Sequence, residues 1–87
     1  MCDLNDKNTK NPLLWTVSDV CNYVAKLPNC ANYAQAFSTN IIDGQAFLML
    51  GQDDLIKELN IKFGPAVKIY NRIVFLREEI ILEFLKI

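Results

Sequence analysis

The stretch Lys62-Phe63-Gly64-Pro65-Ala66-Val67-Lys68-Ile69 decides how this chain folds. Gly64-Pro65 punctuates the chain, and proline is favoured at the first position of a helix, where its missing N–H costs nothing. No further breaker occurs from Ala66 to Ile87. Ala66, Ile69, Ile73, Leu76 and Ile80 recur at steps of three and four, which is one helical face. The spacing predicts one long helix from Pro65 to the end, about 34 Å at 1.5 Å per residue. A globule of this length has a radius of gyration of about 12 Å, so such a helix spans the whole body.

Upstream, the pattern breaks into short pieces. Gly51 reads as a helix cap, and Asp53 and Asp54 fall in the first turn after it, where acids suit the helix dipole. Leu55, Ile56 and Leu59 are the apolar residues of that helix. Ile41-Ile42-Asp43-Gly44 is a turn, with Asp43 capping a very short helix whose buried side is Phe47, Leu48 and Leu50. Asn29 is placed to cap another, through Phe37, with Cys30, Tyr33, Ala34 and Phe37 as its face. Thr16 and Asp19 form a capping-box variant, and Trp15 with Val20 fits a hydrophobic staple. Val17, Val20, Cys21, Val24 and Leu27 then line one face until Pro28 stops the helix. The reading is all-α: four short helices and one long C-terminal helix. Residues 1–12 read as a flexible polar lead-in, 13–79 as the domain, and 80–87 as an apolar extension.

Composition narrows the function. The chain has 87 residues, 52 % of them hydrophobic, with 9 Lys plus Arg against 10 Asp plus Glu. That balance argues against a protein that holds nucleic acid mainly by charge. No apolar run approaches the roughly 18 residues of a membrane span, and the polar N-terminus reads as neither a signal nor a transit peptide. Histidine is absent, and no Gly-rich phosphate loop, nucleophile elbow or metal-ligand cluster occurs. Neither catalysis, nor a metal, nor any other cofactor, nor a small-molecule substrate is expected. Three cysteines without CxxC spacing suggest a reducing compartment, with Cys21 and Cys30 as small core fillers.

Four stretches carry a family resemblance: W-T-V-S-D-V-C at 15–21, L-P-N-C at 27–30, I-D-G-Q-A-F-L at 42–48 and K-F-G-P-A-V-K-I at 62–69. In this order and at these intervals the chain resembles a sterile alpha motif (SAM) domain, a five-helix bundle with a long fifth helix. It looks most like the Polycomb-type subgroup found in polyhomeotic, Sex comb on midleg and malignant-brain-tumour repeat proteins. The resemblance implies a protein-interaction module that joins other SAM domains, its own copies or others, head to tail. It also implies work in transcriptional repression and a nuclear location. One face, the end-helix, is the start of helix 5; the other, the mid-loop, comes from helices 2 to 4. Such a contact is heterologous and can build an open polymer.

The charge map supports this independently. Residues 29–58 hold Asp43, Asp53, Asp54 and Glu58 against Lys57, a net of −3. Residues 59–77 hold Lys62, Lys68, Arg72 and Arg77 with no acid, a net of +4. Opposite patches on one body steer head-to-tail pairing. On the residues that match, the end-helix face is Lys62, Phe63, Gly64, Pro65, Val67, Lys68 and Arg72. Phe63 is either an anchor inserted into a neighbour or a plug in the core. Gly64 and Pro65 are expected to be mainly structural, and Asp43 a cap. The mid-loop face is Asp53, Asp54 and Glu58, with Ile41 an apolar contact if exposed. Ala31 to Phe37 carries no acid and Ile41 replaces the acid usual before I-D-G, so a one-sided binder stays open beside a homopolymer.

Ile80-Ile81-Leu82-Glu83-Phe84-Leu85-Lys86-Ile87 runs past the resemblance. Ile80, Phe84 and Ile87 could continue the inner stripe, while Ile81 and Leu85 align with Tyr70 and Val74. A contact with another chain through Ile81 and Leu85, packing against Leu13 and Leu14, and a consequence of where the sequence stops are all open. A membrane-surface helix is not expected, because Glu78, Glu79 and Glu83 outnumber Lys86. Two rival functions remain. One is an RNA-hairpin binder, which Pro65, Ala66 and Val67 after Gly64 disfavour as phosphate contacts. The other is a signalling adaptor pairing with a receptor or kinase SAM domain.

Overall fold

The computed structural model describes residues 11–85, and among these all regular structure is helical. A 3-10 turn at Pro12–Leu14 leads into α1 (Val17–Lys26). A second 3-10 turn, Ala31–Tyr33, runs straight into α2 (Ala34–Thr39). Three helices follow: α3 (Gly44–Met49), α4 (Gln52–Lys57) and α5 (Phe63–Leu85). This is the expected bundle of four short helices and one long one. Its radius of gyration is 12.6 Å and its extents are 38 × 28 × 22 Å. Residues 1–10 of the expected lead-in, with Cys2, and Lys86 and Ile87 lie outside the described residues.

The helix starts follow the local chemistry. Thr16 Oγ1 accepts from the Asp19 N–H at 3.1 Å, and Asp19 Oδ2 accepts from the Thr16 N–H at 3.0 Å, closing the capping box of α1. Asp43 Oδ1 accepts from the Ala46 N–H at 3.0 Å and starts α3. Asp54 Oδ2 accepts from the Gly51 N–H at 2.9 Å at the start of α4. The α5 stripe Ala66, Ile69, Ile73 and Leu76 is buried, and Ile80 packs partly against the same core. Phe37 meets Phe47 edge-on at 5.8 Å between ring centroids, and Trp15 leans on Tyr23 at 4.9 Å. Trp15 and Val20, the expected staple, both lie in the core.

Gly44 is fixed by a close approach. Its N–H donates to the Trp15 carbonyl at 2.9 Å, and a Cβ there would collide with the Pro12 carbonyl oxygen. The 12–15 segment is thereby clasped to the start of α3.

Three local expectations are corrected. Asn29 does not cap the second helix; it takes a left-handed backbone with φ 62°, a conformation asparagine tolerates, and the chain enters its 3-10 turn from Cys30 without a side-chain cap. The long helix starts at Phe63, so Pro65 is its third residue, and the Ala66 N–H bonds the Lys62 carbonyl at 2.9 Å. Proline still fits there, because the first-turn N–H groups have no intrahelical partner. Leu50 is only half-buried, since it ends α3 rather than lying on its inner face.

Candidate functional site

The start of α5 projects a compact set of side chains. Phe63 is 66 % exposed, so it is not a core plug. Ile61 takes the buried position just before it. Lys62, Gly64 and Lys68 are exposed, and Pro65 and Val67 are half-buried. A Cβ at Gly64 would meet nothing within 4 Å, and its φ is not positive. The fold of the single chain therefore does not require glycine at 64, contrary to the structural role expected for it. What the glycine leaves is bare backbone at a positively polarised helix start, beside an exposed aromatic ring.

Arg72 does not extend this face as a loose cation. Its Nε donates to the Tyr23 hydroxyl at 2.8 Å, and its guanidinium lies over the Phe75 ring at 4.5 Å. Arg77 is likewise turned inward, donating from Nε to Leu48 O at 2.7 Å and from Nη2 to Leu50 O at 2.9 Å. These carbonyls end α3, where a cation is favourable. Of the four basic residues in the segment, Lys62 and Lys68 are the two whose side chains are exposed. Burial pushes the Cys30 thiol above its ordinary range, and the Lys68 charge offsets part of that rise. Cys30 is fully buried and Cys21 donates from Sγ to Ala34 O at 3.4 Å, so both serve packing.

On α3, α4 and the loop before them, Asp53 and Glu58 are exposed. Asp54 is half-buried and committed to the α4 cap, so it serves the fold before any partner. Ile41 is 77 % exposed and holds φ 54°, a left-handed backbone that a β-branched residue adopts only under strain. Met49 is 79 % exposed. Sequence reading passed over Met49. The available signal was the shortness of α3: six residues give one inward face, Phe47 and Leu48 fill it, and the next residue turns outward.

The tail of α5 leaves the body. Ile81, Leu82, Phe84 and Leu85 are all more than half exposed. Phe84 therefore does not continue the inner stripe, and Ile87 lies outside the described residues. Leu13 and Leu14 are exposed as well, so the expected packing of the tail against them is not found. Among the described residues, no group of three or more His, Cys, Asp or Glu is placed to hold a metal, and no helix is long and apolar enough to cross a membrane.

The family model for the SAM domain (Sterile alpha motif) matches residues 13–77. The chain is 46 % identical over 67 residues to Polyhomeotic-like protein 2 of Mus musculus, covering 77 % of this chain and 8 % of that protein. It is 48 % identical over 63 residues to Lethal(3)malignant brain tumor-like protein 4 of Homo sapiens, covering 72 % of this chain and 10 % of that protein. It thus spans about a tenth of these relatives. Among solved structures, a polyhomeotic SAM domain superposes with a TM-score of 0.75 at 36 % identity, over 77 % of this chain and 96 % of that one. A hetero SAM domain structure of Ph and Scm gives 0.71, also at 36 % identity, over 77 % of this chain and 98 % of that one. A buried stripe on one long helix, four short helices before it and these matches together place the chain in the sterile alpha motif family, among relatives of Polycomb type.

Proposed function

We propose that this chain is a head-to-tail assembly module. The Phe63 end of α5 docks onto the Ile41, Met49, Asp53 and Glu58 face of a neighbouring SAM domain. The observation that supports this best is Phe63 itself, an aromatic ring 66 % exposed at a helix start that needs no glycine for its own fold. Exposed aromatics ringed by polar groups are the usual anchors of interfaces. Phe63 and Val67 would enter the neighbour's apolar surface at Ile41 and Met49, while Lys62 and Lys68 meet Asp53 and Glu58 at the rim. The two faces differ, so the contact is heterologous and repeats without closing. SAM pairs are the subject of the related Ph–Scm and Scm–Sfmbt structures, which favours a second SAM domain, self or hetero, as the partner.

The same family relationship supports nuclear, Polycomb-type repression as its setting, with docking rather than catalysis as its contribution. The test is a pair of half-blocked chains. Phe63→Glu alone and Ile41→Asp/Met49→Asp alone each stop head-to-tail chain growth, and mixing the two restores a one-to-one head-to-tail pair through the intact faces. Two blocked chains that fail to pair on mixing contradict the reading.

A further inference from the structure

One flank of α5 carries Tyr70, Val74, Arg77, Glu78, Ile81 and Leu85, at steps that keep one side of a helix, with the Arg77 guanidinium still bonded to the Leu48 and Leu50 carbonyls. Read about the point between Arg77 and Glu78, it is chemically palindromic. Tyr70 is matched with Leu85, Val74 with Ile81, and Arg77 with Glu78. The near-3.5-residue recurrence is that of a coiled-coil seam. Tyr70 and Val74 are half-buried at the base of the helix, whereas Ile81 is 56 % and Leu85 71 % exposed on the projecting tail. Phe84, 73 % exposed, flanks the same side.

We propose that a second copy of this chain covers this stripe, the two α5 helices running antiparallel about a two-fold axis near residues 77 and 78. Each tail then lies along the base of the other helix. Leu85 meets the copy's Tyr70, Ile81 meets its Val74, and Glu78 meets the charge of Arg77 at the centre. A parallel pairing instead sets Glu78 beside Glu78. The tail is free to reach a copy because Leu76 is the last buried residue of α5. Glu79 and Glu83 line a groove with Trp15, Tyr23 and Arg72, away from the seam.

The area sets the strength. Exposed aliphatic and aromatic side chains of this kind offer roughly 450 Å² per chain. Two copies bury roughly 900 Å², below the size of a stable interface, so the dimer is weak, with a dissociation constant on the order of 0.1 mM. The seam is largely apolar, so salt leaves the dimer in place. It uses none of the residues assigned to head-to-tail docking and does not depend on that reading. A two-fold contact added to a heterologous one joins filaments sideways.

The experiment is sedimentation equilibrium of the full chain carrying Phe63→Glu, at high salt, over about a hundredfold concentration range spanning that dissociation constant. The expected species is a monomer–dimer equilibrium that becomes monomer when Ile81→Glu and Leu85→Glu are added, with the thermal melt unchanged. A Phe63→Glu chain that stays monomeric throughout overturns the proposal. If Phe63→Glu leaves larger species, the head-to-tail reading of Phe63 fails, yet the two tail glutamates still decide: an average mass they do not lower overturns the tail dimer. Register is read in a Cys2→Ser/Cys21→Ala background by a nitroxide at Lys86→Cys mixed with unlabelled isotope-enriched chain. Broadening near Tyr70 of the unlabelled copy is expected, and broadening near its own Leu85 overturns the antiparallel arrangement.

Discussion

Ile41 sits in a left-handed backbone at φ 54° with its side chain in solvent, which no single chain needs. Left-handed geometry costs a β-branched residue about 1–2 kcal/mol. Ile41→Asn is therefore expected to stabilise the isolated domain by about 1 kcal/mol while weakening assembly, as read by thermal melting and by sedimentation of the same variant. Gly64 gives the converse contrast with Gly44. Gly64→Ala adds helix propensity in open space and is expected to leave or raise stability by up to about 1 kcal/mol, yet weaken docking by placing a methyl at the interface. Gly44→Ala forces a Cβ into the Pro12 carbonyl and is expected to destabilise by more than about 2 kcal/mol, read as a loss of melting temperature. Phe63→Glu, on an exposed ring, leaves the melt unchanged and weakens self-association by more than about tenfold, or 1.4 kcal/mol.

The elements divide into those whose chemistry is local and those whose chemistry is tertiary. Capping by Thr16 and Asp43 was legible because a cap bonds residues two or three positions away, and the α5 stripe because its period is intrinsic to the helix. The destinations of Arg72 and Arg77 were not, since their partners Tyr23, Leu48 and Leu50 come from distant segments. The charge map counted both arginines in the basic half and the docking face included Arg72; packing turned both inward. Asn29 was misread as a cap because asparagine favours caps and left-handed turns alike. The candidate faces were legible from the family pattern at Phe63 and Lys68, while Met49 emerged only when the short α3 fixed which side faced in. At this scale a chain ending after Ile80 is expected to keep the fold, with a stability change under about 1 kcal/mol. The melt of that truncated chain checks it, because the buried stripe ends at Leu76 and Ile80 is the last residue packed on the core.

The whole molecule combines a basic, aromatic-tipped start of α5 with exposed Ile41, Met49, Asp53 and Glu58 on and around α3 and α4. Exposed charges outside a Debye length are screened, so salt weakens the rim contacts between Lys62 or Lys68 and the acids but spares the apolar anchor. Head-to-tail docking through these faces sets the size of the particles in solution. Sedimentation velocity over about a hundredfold range of concentration, at low and high salt, reads that size. Species that lengthen steadily with concentration and shorten with salt, and that collapse in Phe63→Glu, are the predicted result. A size distribution that Phe63→Glu leaves unchanged, or a monomer at every concentration and salt, contradicts it.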